Sequence, residues 1–151
     1  MPTSTVYADE TKQAWSTYTS TSGRTSEYIN LLQSHYDAFL AAATEFDTVA
    51  NILKGSDTPT STELVTASNA CDIMSTSLTS IGEVIETFPA MDKATINKAA
   101  TLDQAALTNV YNTRQVQDRN FAISLNNILY ACQILYAVAR YPKLEPDLLH
   151  A

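Results

Sequence analysis

The stretch TLDQAALTNVYNTRQVQDRNFAISLNNILYACQILYAVAR, Thr101 to Arg140, decides the fold. Its apolar positions Leu107, Tyr111, Phe121, Leu125, Ile128, Cys132 and Leu135 keep to steps of three and four, the period of an amphipathic helix. Two places on that stripe, between Tyr111 and Phe121, hold charges instead: Arg114 and Asp118. Four residues apart, they stand one turn above each other. Two readings follow. The pair closes an intrahelical salt bridge, or the helix leaves the core here and presents both residues to a partner.

Working back toward the N-terminus, Thr60-Ser61-Thr62-Glu63 has the form of a capping box, hydroxyl first and carboxylate three later. It opens a helix with Leu64, Ala67, Cys71, Met74, Leu78, Ile81, Ile85 and Phe88 on one face, and Pro89 closes it. The helix before it starts at Thr25 or Ser26, with Glu27 favourable in its first turn. Its apolar face is Tyr28, Leu32, Tyr36, Phe39, Ala43, Phe46, Ala50 and Leu53. Lys54-Gly55 is its stop, with glycine available for a left-handed cap. Residues 1 to 22 form a peripheral segment with a short helix around Ala8 to Tyr18, whose Trp15 is expected to pack over the end of its own domain, with a subunit contact as the alternative. Ser20-Thr21-Ser22-Gly23 breaks that pattern.

Asp92 can cap a further helix through Ile96 and Ala99, and Thr101-Leu102-Asp103-Gln104 is a second start signal. Unbroken from Asp92 to Arg140, that helix would run about 70 Å and outreach its partners. Pro142 and Pro146 end it, leaving an extended tail, residues 141 to 151, with Leu144, Leu148 and Leu149. Short turns between helices make neighbours antiparallel. The expected fold is a single all-α domain, an antiparallel up-and-down bundle of three to four helices with one long C-terminal helix.

At 151 residues the chain is long enough for one core of its own, and only 3 Gly and 5 Pro interrupt its helices. A net charge of -7 excludes a broad basic surface gripping nucleic acid. It leaves room for a narrow arginine site repeated through a polymer. Cys71 and Cys132 fall on apolar faces and read as buried free thiols, with a disulfide as the alternative. Met1 to Thr5 has neither the basic start nor the apolar run of a signal peptide, and no stretch approaches the roughly 20 apolar residues of a membrane span. The reading is of a soluble protein made in a cytoplasm.

No metal-ligand, phosphate-loop or nucleophile motif occurs. His35 and His150 stand without other ligand types at a useful spacing, so no catalytic residue, metal or cofactor is expected. Glu45, Asp47, Glu83 and Glu86 lie near helix ends or outer faces. In a polymer they could be apposed across a subunit boundary, where like charges raise each other's pKa. Arg24, Arg119 and Arg140 are the other arginines on or near helices, and Arg114 and Arg119 with Asn120 could approach a phosphate, the alternative being ordinary surface charge.

The run Thr113-Arg114-Gln115-Val116-Gln117-Asp118, followed by Ala122-Ile123-Ser124 and Asn126-Asn127-Ile128, resembles the long C-terminal helix of rod-shaped plant virus coat proteins of the tobamovirus type. In that family a Thr-Arg-Arg-Val-Asp-Asp stretch precedes an Ala-Ile and an Asn-Asn pair. Gln115 and Gln117 stand where the family has its second arginine and first aspartate. The resemblance implies an antiparallel four-helix bundle that polymerises helically around single-stranded RNA. It implies that Arg114 contacts a phosphate, and that Asp118 contacts a nucleotide or orients the arginine. The expectation is therefore a self-assembling coat subunit, a homo-oligomer holding single-stranded nucleic acid through Arg114, Asp118, Arg119 and Asn120, made in a host cytoplasm and ending in a virion. The alternative is a monomeric helical-bundle module for an apolar ligand or a partner helix.

Overall fold

Every residue of the expected face of the first long helix is buried: Tyr28, Leu32, Tyr36, Phe39, Ala43, Phe46, Ala50 and Leu53. A computed structural model of the chain, which describes residues 4–55, 58–88, 90 and 104–141, places them along α2, Ser26–Lys54. The helix starts where a hydroxyl can take a free amide, with Thr25 Oγ1 accepting from Tyr28 N at 3.3 Å. It ends at Gly55, whose φ of -75° and ψ of 173° are extended. The left-handed glycine cap expected there is thus replaced by a straight exit.

Four helices and no strand make up the described residues: α1 Val6–Thr21, α2, α3 Ser61–Thr87 and α4 Gln104–Arg140. The capping box at Thr60 forms in full, Thr60 N donating to Glu63 at 2.8 Å and Glu63 N to Thr60 Oγ1 at 3.2 Å. α1 packs on α2 and α4, α3 packs on the same two, and α2 meets α4 across the diagonal. This is an antiparallel four-helix bundle, and its long element, α4, has 37 residues and runs about 55 Å. Residues 91–103 and 142–151, which hold the Asp92 cap and the leucine tail, lie outside the described residues, as does Pro89.

Phe39, Phe46, Leu32, Met74, Ile81 and Leu125 are under 2% exposed at the centre, each contributing about 1.5–3 kcal/mol by leaving water. α1 belongs to this core and is not peripheral. Its Tyr18 is 1% exposed and stacks on Phe121 at 4.4 Å. Trp15 stacks on Tyr36 at 4.2 Å, so it does pack on its own domain.

The start of α1 is made by another helix. Its own N-cap residue, Thr5, makes no side-chain capping bond. Asp47 of α2, 2% exposed, accepts instead from Tyr7 N at 3.1 Å and Ala8 N at 2.8 Å. Those are the second and third amides of the helix, the ones a capping side chain ordinarily takes. Asp47 therefore leaves the set of outer carboxylates in which it was expected, while Glu45, Glu83 and Glu86 are exposed.

Against the expectation that no stretch approaches a membrane span stands α4, by length and composition only. An 18-residue window in it reaches a mean hydropathy of 1.4, and 28% of that window is buried. No charged residue lies between Arg119 and Arg140, so length and composition alone would suffice to cross a bilayer. One face of the same window, Phe121, Leu125, Ile128, Leu129 and Cys132, is buried in the bundle core.

Cys71 and Cys132 are free and buried. Burial pushes the Cys71 thiol from 9.0 up to about 12, and raises Cys132, burial first and then neighbouring Cys71. The phenols of Tyr7, Tyr18, Tyr28 and Tyr36 are raised from 10.0, chiefly by burial. Each such group holds its proton more tightly folded than unfolded, so its stabilisation is complete below the unfolded pKa and declines above it. Urea unfolding should accordingly show stability falling from about pH 9 upward, while both thiols stay unreactive to a thiol reagent until the chain unfolds. Asp47→Ala, which strands two buried amides, should cost about 2–4 kcal/mol in the same assay. Exposed Asp37→Ala should stay within about 0.5 kcal/mol.

Candidate nucleic-acid interface and the buried charge cluster

Arg114 and Asp118 both project from the core face of α4 and are each 6% exposed. A carboxylate and a guanidinium removed from water need partners that satisfy both charge and hydrogen bonds. The partners come from the α1–α2 turn, Ser22–Thr25, and from the end of α3. Arg24 of the turn grips Asp118 side-on, Nε donating to Oδ1 at 3.2 Å while Nη2 donates to Oδ2. The two form an ion pair. Nη2 of Arg24 also donates to the Phe88 carbonyl at 2.9 Å, and its guanidinium lies 4.0 Å above the Tyr28 ring.

Tyr18 completes the ring of contacts, its hydroxyl donating to Asp118 Oδ1 at 2.6 Å with the Tyr28 hydroxyl 2.9 Å away. Burial, then the hydrogen bond to Asp118, raises the Tyr18 phenol far above its ordinary value, so it remains a donor through the neutral range. Burial acts to lower the Arg24 pKa, but the bond to Asp118 and the surrounding negative groups outweigh it and the value is raised. Arg24 stays charged.

Arg114 serves a different end. Its Nε and Nη2 donate to the Gly23 carbonyl at 3.1 and 2.9 Å, and Nη1 to the Ala90 carbonyl at 3.4 Å. Gly23 has φ +66°, a left-handed turn that other residues rarely adopt, which aims its carbonyl at the guanidinium. Arg114 thus holds down the same turn that carries Arg24.

Both readings of the interrupted stripe are corrected by this geometry. Asp118 is paired with Arg24, 94 residues away, rather than one turn along its own helix. Neither it nor Arg114 is presented outward, and the Gly23 and Ala90 carbonyls are among the partners of Arg114. No buried side-chain polar atom among the described residues lacks a hydrogen-bond partner. The remaining two expected site residues separate from these: Arg119 and Asn120 are exposed on α4. Asn120 opens on a groove of 370 Å³ between α1 and α4, with Gln13, Thr17, Gln117, Ser124 and Asn127 around it and Tyr18 and Phe121 at its inner wall.

Sequence reasoning missed Arg24 as the counter-charge. The available signal was that a carboxylate on a core face requires a cation from somewhere, and few cations exist in this chain. Its position in a turn gave no periodicity to follow.

Comparison of the chain with protein-family models, with curated proteins and with solved structures returned no match.

Arg24→Met and Asp118→Leu should each cost about 3–5 kcal/mol, because each strands a buried charge. In urea unfolding the double variant should lose clearly less than the sum of the two, and that coupling is the measure of the pair.

Proposed function

We propose that this chain is a structural subunit that self-assembles, the coat protein of a helical rod-shaped or filamentous virus that packages single-stranded nucleic acid, in the first instance RNA. The observation that carries the reading is the outer face of α4. Val116, Ile123 and Tyr130 are 44%, 49% and 60% exposed, and they recur seven residues apart on the side opposite Leu125 and Cys132. No described residue from Ala105 to Thr113 is buried. A soluble helix with apolar groups on both faces is completed by another surface.

The four-helix bundle supports the reading as well, being the architecture that the tobamovirus resemblance implies. The resemblance itself is concentrated on residues 113 to 128. In this reading the nucleic acid is held by few contacts per subunit. Arg119 supplies a cation to phosphate, and Asn120 with the amides around its groove offers donors and acceptors to base edges. Arg114 and Asp118 contribute indirectly, by fixing the helix that carries those two. Repetition supplies avidity, so a net charge of -7 per copy is no obstacle. The subunit would be made in the host cytoplasm and end in the virion, with no catalytic role or cofactor.

Electron microscopy and light scattering of purified protein, over a range of pH and concentration, test assembly directly. Rods, discs or filaments are expected. A single small species throughout that binds a hydrophobic dye would favour a monomeric binding module instead. Arg119→Ala should lower the nucleic-acid content of the particles that form several-fold, read from the ratio of absorbance at 260 and 280 nm.

A further inference from the structure

The apolar face of α4 has a counterpart elsewhere on the same chain. From Val116 to Tyr130 the exposed stripe covers fourteen residue steps of helix, about 21 Å. Between α2 and α3 lies an open groove in two adjoining parts of 380 and 390 Å³, which share Ala38 and Ile73. On α3 it extends from Thr66 to Ser80, again fourteen steps and about 21 Å. Ala38, Ala42 and Ala70 give it short walls, so bulky side chains in a row on another helix can seat in it as a ridge in a groove. Ile73, 50% exposed, is its unpartnered apolar group.

Charge distinguishes this pairing from the self-pairings. α3 carries Glu63, Asp72, Glu83 and Glu86 with no Lys or Arg, and Glu45 of α2 also lines the groove. On α4 the exposed charges are Arg119 and Arg140, with no exposed carboxylate. Groove against groove would set carboxylates against carboxylates, and stripe against stripe would set arginine against arginine. Stripe against groove avoids both and brings opposite signs together.

We propose that the outer face of α4 docks in the α2–α3 groove of a second copy of this chain. The contact joins two different patches, so each added copy exposes a fresh stripe and a fresh groove, and the array grows instead of closing as a dimer. The inference rests on the assembly reading and specifies its interface.

Two singly substituted chains, Ile123→Cys and Ile73→Cys, test it, since both positions are about half exposed and the native thiols are buried. Circular dichroism checks that each variant keeps its helices. Mixed and treated with a short bismaleimide under assembling conditions, they should give the mixed dimer in several-fold excess over either homodimer. The double variant should give a ladder of covalent multimers. Predominant Ile123→Cys homodimers would overturn the proposal, as would the absence of mixed product while the wild-type chain still assembles. If the introduced thiol of the Ile123→Cys chain is shielded only by added single-stranded RNA, the proposal fails too and the stripe belongs to nucleic acid. If the wild-type chain stays monomeric at every concentration, the assembly reading fails first and this interface with it.

Discussion

The rest of the structure depends on a desolvated carboxylate finding its cation across the bundle. Asp118 sits on the one face of α4 that must be apolar for the helix to pack, and Arg24 reaches it from a turn 94 residues earlier. The arrangement is costly in desolvation, and a hydrophobic pair of similar volume could match it in stability. Its contribution is to position. Asp118 can be satisfied only when the α1–α2 turn lies against the middle of α4, and Arg114 fixes the same turn through the Gly23 carbonyl. Together the two charged residues set the register of α4 against the N-terminal half of the molecule.

That register has a consequence on the far side of the helix. With one face of α4 bound by specific polar contacts as well as by Phe121, Leu125 and Cys132, rotation about its own axis is suppressed. Val116, Ile123 and Tyr130 are therefore held outward. An apolar stripe that could roll inward would be a packing defect, whereas one locked outward is a surface with a defined direction. Charge follows the same division, carboxylates dominating the exposed charges of α2 and α3 and arginines those of α4.

Much of this was legible in the sequence wherever the cause was local. The eight positions on the first long helix and the Thr60 capping box follow from periodicity and from a hydroxyl three residues before a carboxylate, and the structure realises both. On α4 the positions Phe121, Leu125, Ile128 and Cys132 are buried as read, while Tyr111 is 37% exposed. The interruption at Arg114 and Asp118 was visible, but its resolution was not, because spacing rules see only partners within a turn or two. Asp47 is a different lesson. It lies three or four residues from Ala43 and Ala50 and next to Phe46, on the buried face by count, and that position marked it as an internal ligand for backbone amides. The reach of α1 into the core was hidden by a composition of small polar residues, with Tyr7, Thr11 and Tyr18 doing the packing that leucines would have signalled.

The borrowed cap of α1 bears on the order in which the chain can be built. During synthesis the first helix leaves the ribosome with only the Ser4 hydroxyl, 3.5 Å from Val6 N, to take an amide of its first turn, and Asp47 emerges some forty residues later. Until then the leading segment has Tyr7, Trp15 and Tyr18 to bury and no fixed place to put them. Its docking is a late act of vectorial folding, waiting on α2 for its beginning and on α4 for the surface against which Tyr18 comes to rest.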